Sequence, residues 1–173
     1  MTLVPGDAAS LSACAVTARA VARDLGGRAP GMRRASEALG QRWTGRTSAA
    51  TRRSGAGLAE ASGATASELE RVGGILQDHA TDLADLVGRA RAVEERAAAA
   101  GLEVRDGRVE RAWGVTGQAD AAADRSLEET RVALQGEVDL LLAQHRRRRD
   151  FVLGVLREST ATLAGVSHRL REG

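Results

Sequence analysis

"ALGQRWTGRTSAA", residues 38–50, decides how this chain folds, because it separates two long stretches of helical pattern. It holds Trp43, one of only 2 tryptophans, and Gly45 two positions later. A tight turn between antiparallel helices needs a residue that tolerates unusual backbone angles, and Gly45 supplies it. We expect Trp43 to fold its indole over the open end of the helix pair and to cover the small-residue core.

The residues before this turn predict one amphipathic helix over residues 7–42. The glycines and the proline of GGRAPG, residues 26–31, would ordinarily end a helix. Leu25, Met32 and Leu39 nevertheless stay in one seven-residue phase across it. We therefore expect a single helix that is kinked near residues 26–31.

The residues after the turn at 43–46 carry two heptad rows, which predict a second, coiled-coil-like helix over residues 47–100. A third helix is predicted over residues 119–171, where leucines again recur at seven-residue spacing. Short connections place neighbouring helices antiparallel. The sequence therefore predicts one all-α domain, residues 1–173, built as an elongated antiparallel bundle of three long helices.

Residues 101–118, between the second and third helices, lose the helical period and predict a small β-hairpin. Two valines flank Asp106-Gly107, a dipeptide favoured in two-residue hairpin turns because both positions need positive φ. We expect Trp113 to pack the hairpin back onto the helices.

The composition supports a folded helical protein, with 43% apolar and 28% charged residues but only 2% aromatic residues. The sequence pI is about 9.8, yet the net charge is only +2, so nucleic-acid binding does not follow from the pI. The charges are distributed in blocks. Two blocks are basic: residues 1–57 hold nine arginines and three acidic residues, and residues 146–173 hold seven arginines and three acidic residues. Two blocks are acidic: residues 58–100 hold four arginines and eight acidic residues, and residues 120–139 hold two arginines and six acidic residues.

The N-terminal residues show neither a basic region followed by an apolar one nor a run long enough to cross a bilayer. We therefore expect a protein without a membrane span that is cytoplasmic, or is exported together with a partner. The single cysteine, Cys14, excludes an internal disulfide framework and is expected to be a small buried side chain.

No group of residues meets the requirements of a catalytic, cofactor or metal site. His79 and His145 fall on facing helical seams, but no further ligand completes the set that zinc needs, so we expect buried histidines with ordinary hydrogen bonds.

Four consecutive arginines surround the third helix and form a possible anion patch: Arg146, Arg147, Arg148 and Arg149. Such a patch could bind phosphate or an acidic partner. With few aromatic residues nearby to stack on bases, a solvated stretch is the favoured interpretation of these arginines.

Trp43-Thr44-Gly45 between two amphipathic helices resembles the Trp-X-Gly superfamily of type VII (ESX-like) secretion systems of actinobacteria. The stretch GLEVRDGRVERAWG, followed by a long helix, is similar to the N-terminal, secretion-associated domains of polymorphic toxins from the same bacteria. The chain has no tyrosine, so it lacks the Tyr-x-x-x-Asp/Glu export signal of the superfamily. The resemblance implies an accessory or partner protein rather than an effector.

The sequence thus favours a non-enzymatic helical interaction protein that pairs, as a homodimer or heterodimer, with a similar helical hairpin. Where only two helices pair, their apolar stripes should remain partly uncovered and available to a partner. The alternative is an Arg-rich coiled coil that binds nucleic acid or another anionic surface, with no small-molecule substrate in either case. The residues expected in the partner interface are Leu76, His79, Leu83, Leu86, Leu127, Leu134 and Leu141.

Overall fold

The computed structural model describes residues 3–43, 45–112 and 121–172 and is mainly α-helical. The bounds of the three helices differ from those predicted from the sequence by at most two residues. The predicted helical class, with a small antiparallel sheet between the second and third helices, is confirmed. The elements are, in chain order, α1 (Ala8–Arg42), α2 (Arg46–Ala99), β1 (Leu102–Arg105), β2 (Arg108–Arg111) and α3 (Ala121–Glu172).

Helix α1 runs without interruption through residues 26–31. Pro30 lies inside the helix and has no N–H, so the carbonyl of Gly26 loses its usual helical donor. Ala22 and Ala29, seven residues apart, are both buried on the inward face. Packing on either side of the proline therefore holds the helix in one phase.

The described residues divide into two compact units, and α2 and α3 contribute to both. We call Ala9–Asp78 with Val152–Gly173 the turn unit, because it contains Trp43 and Gly45. We call Met1–Ala8 with His79–Phe151 the hairpin unit, because it contains the β-hairpin.

In the turn unit, α1 and α2 pack antiparallel through small side chains. Ser12 Oγ donates to Gln77 Oε1 at 3.0 Å, and Ser36 Oγ donates to the carbonyl of Arg52 at 3.2 Å. A later residue of α1 therefore contacts an earlier residue of α2, so the two helices run antiparallel. The buried residues that α1 and α2 contribute are chiefly Ala15, Ala22, Ala29, Ser48, Ala59, Ser62, Ala66 and Val72.

Helices α1 and α2 approach closely in the turn unit at Gly73 of α2. A Cβ added there would lie 2.7 Å from Cγ of Arg19 and 3.1 Å from the carbonyl oxygen of Ala15. Glycine is required because the α1 backbone itself occupies that space. Beside this point the unit has a cluster of larger apolar residues from all three helices: Leu11, Ala15, Val72, Ile75, Leu76, Val152 and Leu156.

In the hairpin unit, α2 and α3 pack antiparallel through large side chains. Arg89 Nη1 donates to Gln144 Oε1 at 3.2 Å, and Arg96 Nη2 lies 2.5 Å from Glu137 Oε2 in an ion pair. The core is made of leucines and valines rather than alanines. Its most deeply buried large members are Leu83, Leu86, Val93, Leu102, Val109 and Val138.

The β-hairpin closes over this core. Leu102 pairs with Arg111, and Arg105 with Arg108, around the two-residue turn. Asp106 and Gly107 have φ of 50° and 79°, so the positive-φ turn predicted from this dipeptide is confirmed.

The N-terminal segment before α1 also packs against the hairpin unit's part of α2, which the sequence did not indicate. Val4 is buried, and the backbone N–H of Leu3 donates to Glu94 Oε1 at 3.3 Å. Gly6 has φ of 133°, and a Cβ there would lie 2.9 Å from Cδ2 of Leu83. The segment therefore covers part of the leucine row that the sequence left open to a partner.

Candidate functional site

The residues expected to form a partner interface are almost all buried by the chain itself. Leu83 and Leu141 are each 2% exposed and Leu134 is 4% exposed. The expectation that this row is only partly covered is wrong, because α3, the hairpin and the N-terminal segment all pack on the same stripe. Of the seven, Leu127 alone is half-buried, while Leu76, His79, Leu83, Leu86, Leu134 and Leu141 are buried.

The hairpin is attached to α3 by specific hydrogen bonds. The backbone N–H of Val109 donates to Gln135 Oε1 at 2.8 Å, and Gln135 Nε2 donates to the carbonyl of Gly107 at 3.0 Å. Arg111 pairs with Asp124 of α3 at 2.9 Å. Trp113, which was expected to pack the hairpin onto the helices, lies outside the described residues.

His79 and His145 are brought to the same core by α2 and α3, as the facing seams predicted. They are 6% and 8% exposed, and the Nδ1 atom of each is buried without a hydrogen-bond partner among the described residues. The expectation of ordinary hydrogen bonds is therefore wrong for these two nitrogens. Burial lowers the pKa of both imidazoles, and the positive charge of Arg148 lowers the pKa of His79 further.

Among the described residues, no group of three or more His, Cys, Asp or Glu side chains is placed to hold a metal ion. Within the same residues, no helix is long and apolar enough to span a bilayer. Cys14, expected to be buried, is exposed on α1, because Ala15 takes the inward position beside it.

The four consecutive arginines of α3 do not act as one free anion patch. Arg148 Nε lies 2.7 Å from Asp82 Oδ2, and its guanidinium carbon lies 5.6 Å from the centre of the Phe151 ring. Arg149 Nη2 lies 2.9 Å from Asp150 Oδ1. The last two arginines of the stretch are therefore already neutralised by acids of the same chain.

The first two arginines of the stretch, Arg146 and Arg147, are exposed on α3. Successive residues of a helix point about 100° apart, so these two side chains leave the helix in different directions. The possible anion patch of Arg146, Arg147, Arg148 and Arg149 is therefore corrected to two exposed arginines that diverge, with their two neighbours held in ion pairs.

At the turn between α1 and α2, Gly45 adopts φ of 123°, as expected for a glycine-dependent bend. Trp43 is 44% exposed, and the cover that its indole was expected to form over the helix ends stays a prediction. The backbone N–H of Trp43 donates to the carbonyl of Leu39 at 3.0 Å, a bond that keeps residue 43 on the spiral of α1. Ser48, buried and donating to the Trp43 carbonyl, fills the position beneath the turn.

Sequence reasoning missed the apolar side chains that are accessible. In the turn unit Leu39, Trp43 and Leu58 are 46%, 44% and 45% exposed, and in the hairpin unit Val132 and Leu140 are 56% and 68% exposed. The sequence indicated the exposure of Val132 and Leu140, because both lie in a charged stretch and off the heptad row of Leu127, Leu134 and Leu141.

A comparison of the chain with protein-family models, curated proteins and solved structures finds no match.

Proposed function

We propose that this chain is a non-enzymatic helical interaction protein that serves as a partner, adaptor or accessory in type VII (ESX-like) secretion. The observation that carries the proposal is the helix–turn–helix of α1 and α2 with Trp43 exposed at the turn. An exposed tryptophan beside exposed leucines is a common feature of residues that contribute strongly to protein–protein binding.

The proposed binding residues differ from those the heptad rows indicated. The buried leucines would have to leave their own core to reach a partner, at a cost comparable with that of unfolding the unit. Leu39, Trp43 and Leu58 need no such rearrangement. We therefore place binding on these accessible side chains rather than on the buried leucines.

The proposal includes the predicted arrangement of α1, α2 and α3 as one elongated antiparallel bundle, which small-angle scattering would test through the maximum dimension. It also includes a location in the cytoplasm, or export through a type VII system with a partner that carries the export signal. The Tyr-x-x-x-Asp/Glu signal would then lie on the partner, since this chain contains no tyrosine.

Co-expression tests the proposal directly. Each small helical protein encoded on the same transcript would be co-expressed with the tagged chain, and the stoichiometry of the purified complex measured by native mass spectrometry. We expect one stoichiometric complex, weakened at least about tenfold by Trp43→Ala but unchanged by Val16→Ala, which removes a more exposed apolar side chain elsewhere on α1. Failure of all such proteins to bind would contradict the proposal.

A further inference from the structure

We propose that α2 carries a peptide-binding groove in the hairpin unit, and that the N-terminal segment of a second copy can occupy it. The N-terminal segment is residues 3–7, and the groove is the face of α2 formed by Leu83, Val87, Ala90 and Glu94. The chain's own segment lies in this groove, so the structure shows the complementarity that a second copy would use. This contact goes beyond the proposed function, because it uses residues of the hairpin unit alone.

The groove is one continuous face of α2. Its four residues are spaced by four, three and four positions, which is the spacing of neighbours along one side of a helix. Leu83 and Ala90 are 2% and 3% exposed, whereas Val87 stays half-buried with the segment in place. The groove therefore has an apolar floor with an accessible edge, and the Glu94 carboxylate lies toward one end of it.

The N-terminal segment fills this groove without forming a helix or a strand. Val4 is 2% exposed, and the backbone N–H of Leu3 donates to Glu94 Oε1 at 3.3 Å. A small cavity between segment and helix is lined by Leu3, Val4, Val87, Ala90, Arg91 and Glu94. Recognition thus uses a branched apolar side chain and a backbone donor, and any copy of the same segment repeats both.

Gly6 adds a requirement to the peptide that the groove accepts. It has φ of 133°, and a Cβ there would lie 2.9 Å from Cδ2 of Leu83. A larger residue would be strained by that backbone angle and would meet the floor of the groove. The class of ligand is therefore an extended apolar peptide with valine two positions before glycine, as in Leu3-Val4-Pro5-Gly6.

The attachment of the segment favours exchange between copies. The segment belongs to the hairpin unit, whereas α1 belongs to the turn unit from Ala9 onward. Release of the segment therefore leaves contacts of α1 such as that of Ser12 with Gln77 in place. An identical segment from another molecule restores the lost contacts, which is why exchange of an element is a low-cost route to a dimer. A tethered segment has an effective concentration on the order of mM, so exchange requires a high chain concentration.

Titration of the isotope-labelled full chain with a peptide of residues 3–9 tests the groove by NMR. The peptide is acetylated, which keeps the N–H of Leu3 as an amide donor for Glu94. In the Val4→Asp chain, where the cost of burying a carboxylate releases the chain's own segment, we expect amide shifts across residues 83–94. The apparent Kd should be at least about tenfold lower than for the wild-type chain, whose own segment competes. A peptide that carries Val4→Asp should cause no shifts.

Two deficient variants test the second copy as the occupant. The Val4→Asp chain has a free groove, and the Val87→Arg chain, in which a long charged side chain fills the groove, has a free segment. Adding the unlabelled Val87→Arg chain to the labelled Val4→Asp chain should reproduce the shifts that the peptide causes. The doubly substituted chain, Val4→Asp with Val87→Arg, should cause none when it is added instead.

Ala92→Arg is the matched control on α2. Ala92 is exposed, and at about 100° per residue it lies on the side of α2 opposite Leu83. Introduced into the Val4→Asp chain, it should leave peptide binding unchanged, whereas Val87→Arg should remove it. Far-UV circular dichroism should be the same for all variants, since none replaces a buried residue of a helix. A titration or a mixture without shifts at residues 83–94 would overturn the proposal, while binding of a co-expressed protein through Trp43 would be unaffected.

Discussion

The two helix pairs of this chain solve the same packing problem with different side chains. In the turn unit α1 meets α2 through alanine, glycine and serine, and the backbones approach until Gly73 leaves no room for a Cβ. In the hairpin unit α2 meets α3 through leucine and valine, with Leu83, Leu86 and Val138 almost fully buried. The first pair buries mainly small side chains and the second mainly large ones, and a large apolar side chain gains more from burial than a small one.

This difference explains where apolar side chains remain accessible. Small residues at the α1/α2 contact leave large side chains such as Leu39 and Leu58 on the flanks, where they stay half in water. In the hairpin unit the large side chains are used internally, and only off-row residues such as Val132 and Leu140 remain outside. In the hairpin unit the heptad rows therefore identify the buried core, whereas in the turn unit Leu39 is exposed although it continues the seven-residue phase of Leu25 and Met32.

The largest expected effect is that of truncating the leucine core. Leu83→Ala should lower the free energy of unfolding by about 3 kcal/mol, within the usual range for a buried leucine. Leu140→Ala, in the same unit but exposed, should change it by less than about 0.5 kcal/mol. Urea denaturation of both variants measures the contrast, and equal losses would show that the two side chains have similar burial in solution.

A smaller effect is expected where the turn unit is tightest. Gly73→Ala should cost about 2 kcal/mol, because the new Cβ meets the α1 backbone at 3.1 Å. The neighbouring Gly74→Ala meets only the end of the Arg19 side chain at 3.6 Å, and better helix propensity should stabilise it by up to about 1 kcal/mol. Opposite shifts of the thermal midpoint are the predicted outcome, and a stabilised Gly73→Ala would disprove the close approach.

Substitution of a glycine in the hairpin turn should lower the free energy of unfolding by less than Gly73→Ala does. Gly107→Ala places a Cβ at φ of 79° and 3.0 Å from Cδ1 of Leu142, which should cost about 1.5 kcal/mol. Gly101→Ala, at φ of 73° with nothing within 4 Å, carries the backbone strain alone and should cost about 1 kcal/mol. Urea denaturation gives the difference, which measures the packing of the turn on α3. A Gly101 loss larger than the Gly107 loss would refute that packing.

The mildest effect is expected from the protonation of His79 and His145, which both lie in the hairpin unit. His79 and His145 have pKa values below the ordinary 6.5, so the unfolded chain binds protons more readily than the folded one. The stability that this difference provides is complete above pH 6.5 and is lost as the pH falls from there through the folded pKa values. Native-state hydrogen exchange should show loss of protection around Leu86 before it does so around Ala59.

The charged groups that face the two histidines support this direction of the pH dependence. Arg148 and His145 of α3 oppose a proton on His79, and Asp82 of α2 favours it only weakly in comparison with burial. Arg149 opposes a proton on His145. A double variant, His79→Gln with His145→Gln, should remove the pH dependence of exchange in the hairpin unit. Persistence of that dependence would assign it to other groups.

Much of the fold could be predicted from periodicity and turn chemistry. The phase shared by Leu25 and Met32 predicted that α1 continues through Pro30, and Asp106-Gly107 predicted the hairpin, since both signals are local. The coverage of the leucine row could not be predicted, because a heptad row does not say which neighbour packs on it. The segment around Val4 has no periodicity of its own, so its packing against α2 left no signal in the sequence.

The candidate site was predictable only in part. Trp43 and Gly45 were recognised as a turn, but the sequence did not indicate that Trp43 donates one further helical hydrogen bond to Leu39. Sequence patterns do not resolve the last residue of a helix reliably, since helix ends fray and vary by one or two residues.

Cysteine accessibility in the folded protein tests most directly the claim that the leucine rows are core and the flanks are surface. In a Cys14→Ser background, single cysteines would replace Leu83, Leu134 and Leu141 in one set, and Leu58, Val132 and Leu140 in the other. Maleimide labelling of the second set should proceed at the rate of the urea-unfolded chain, while the first set should be slowed at least about a hundredfold by burial. Equal labelling rates in the two sets would contradict the account.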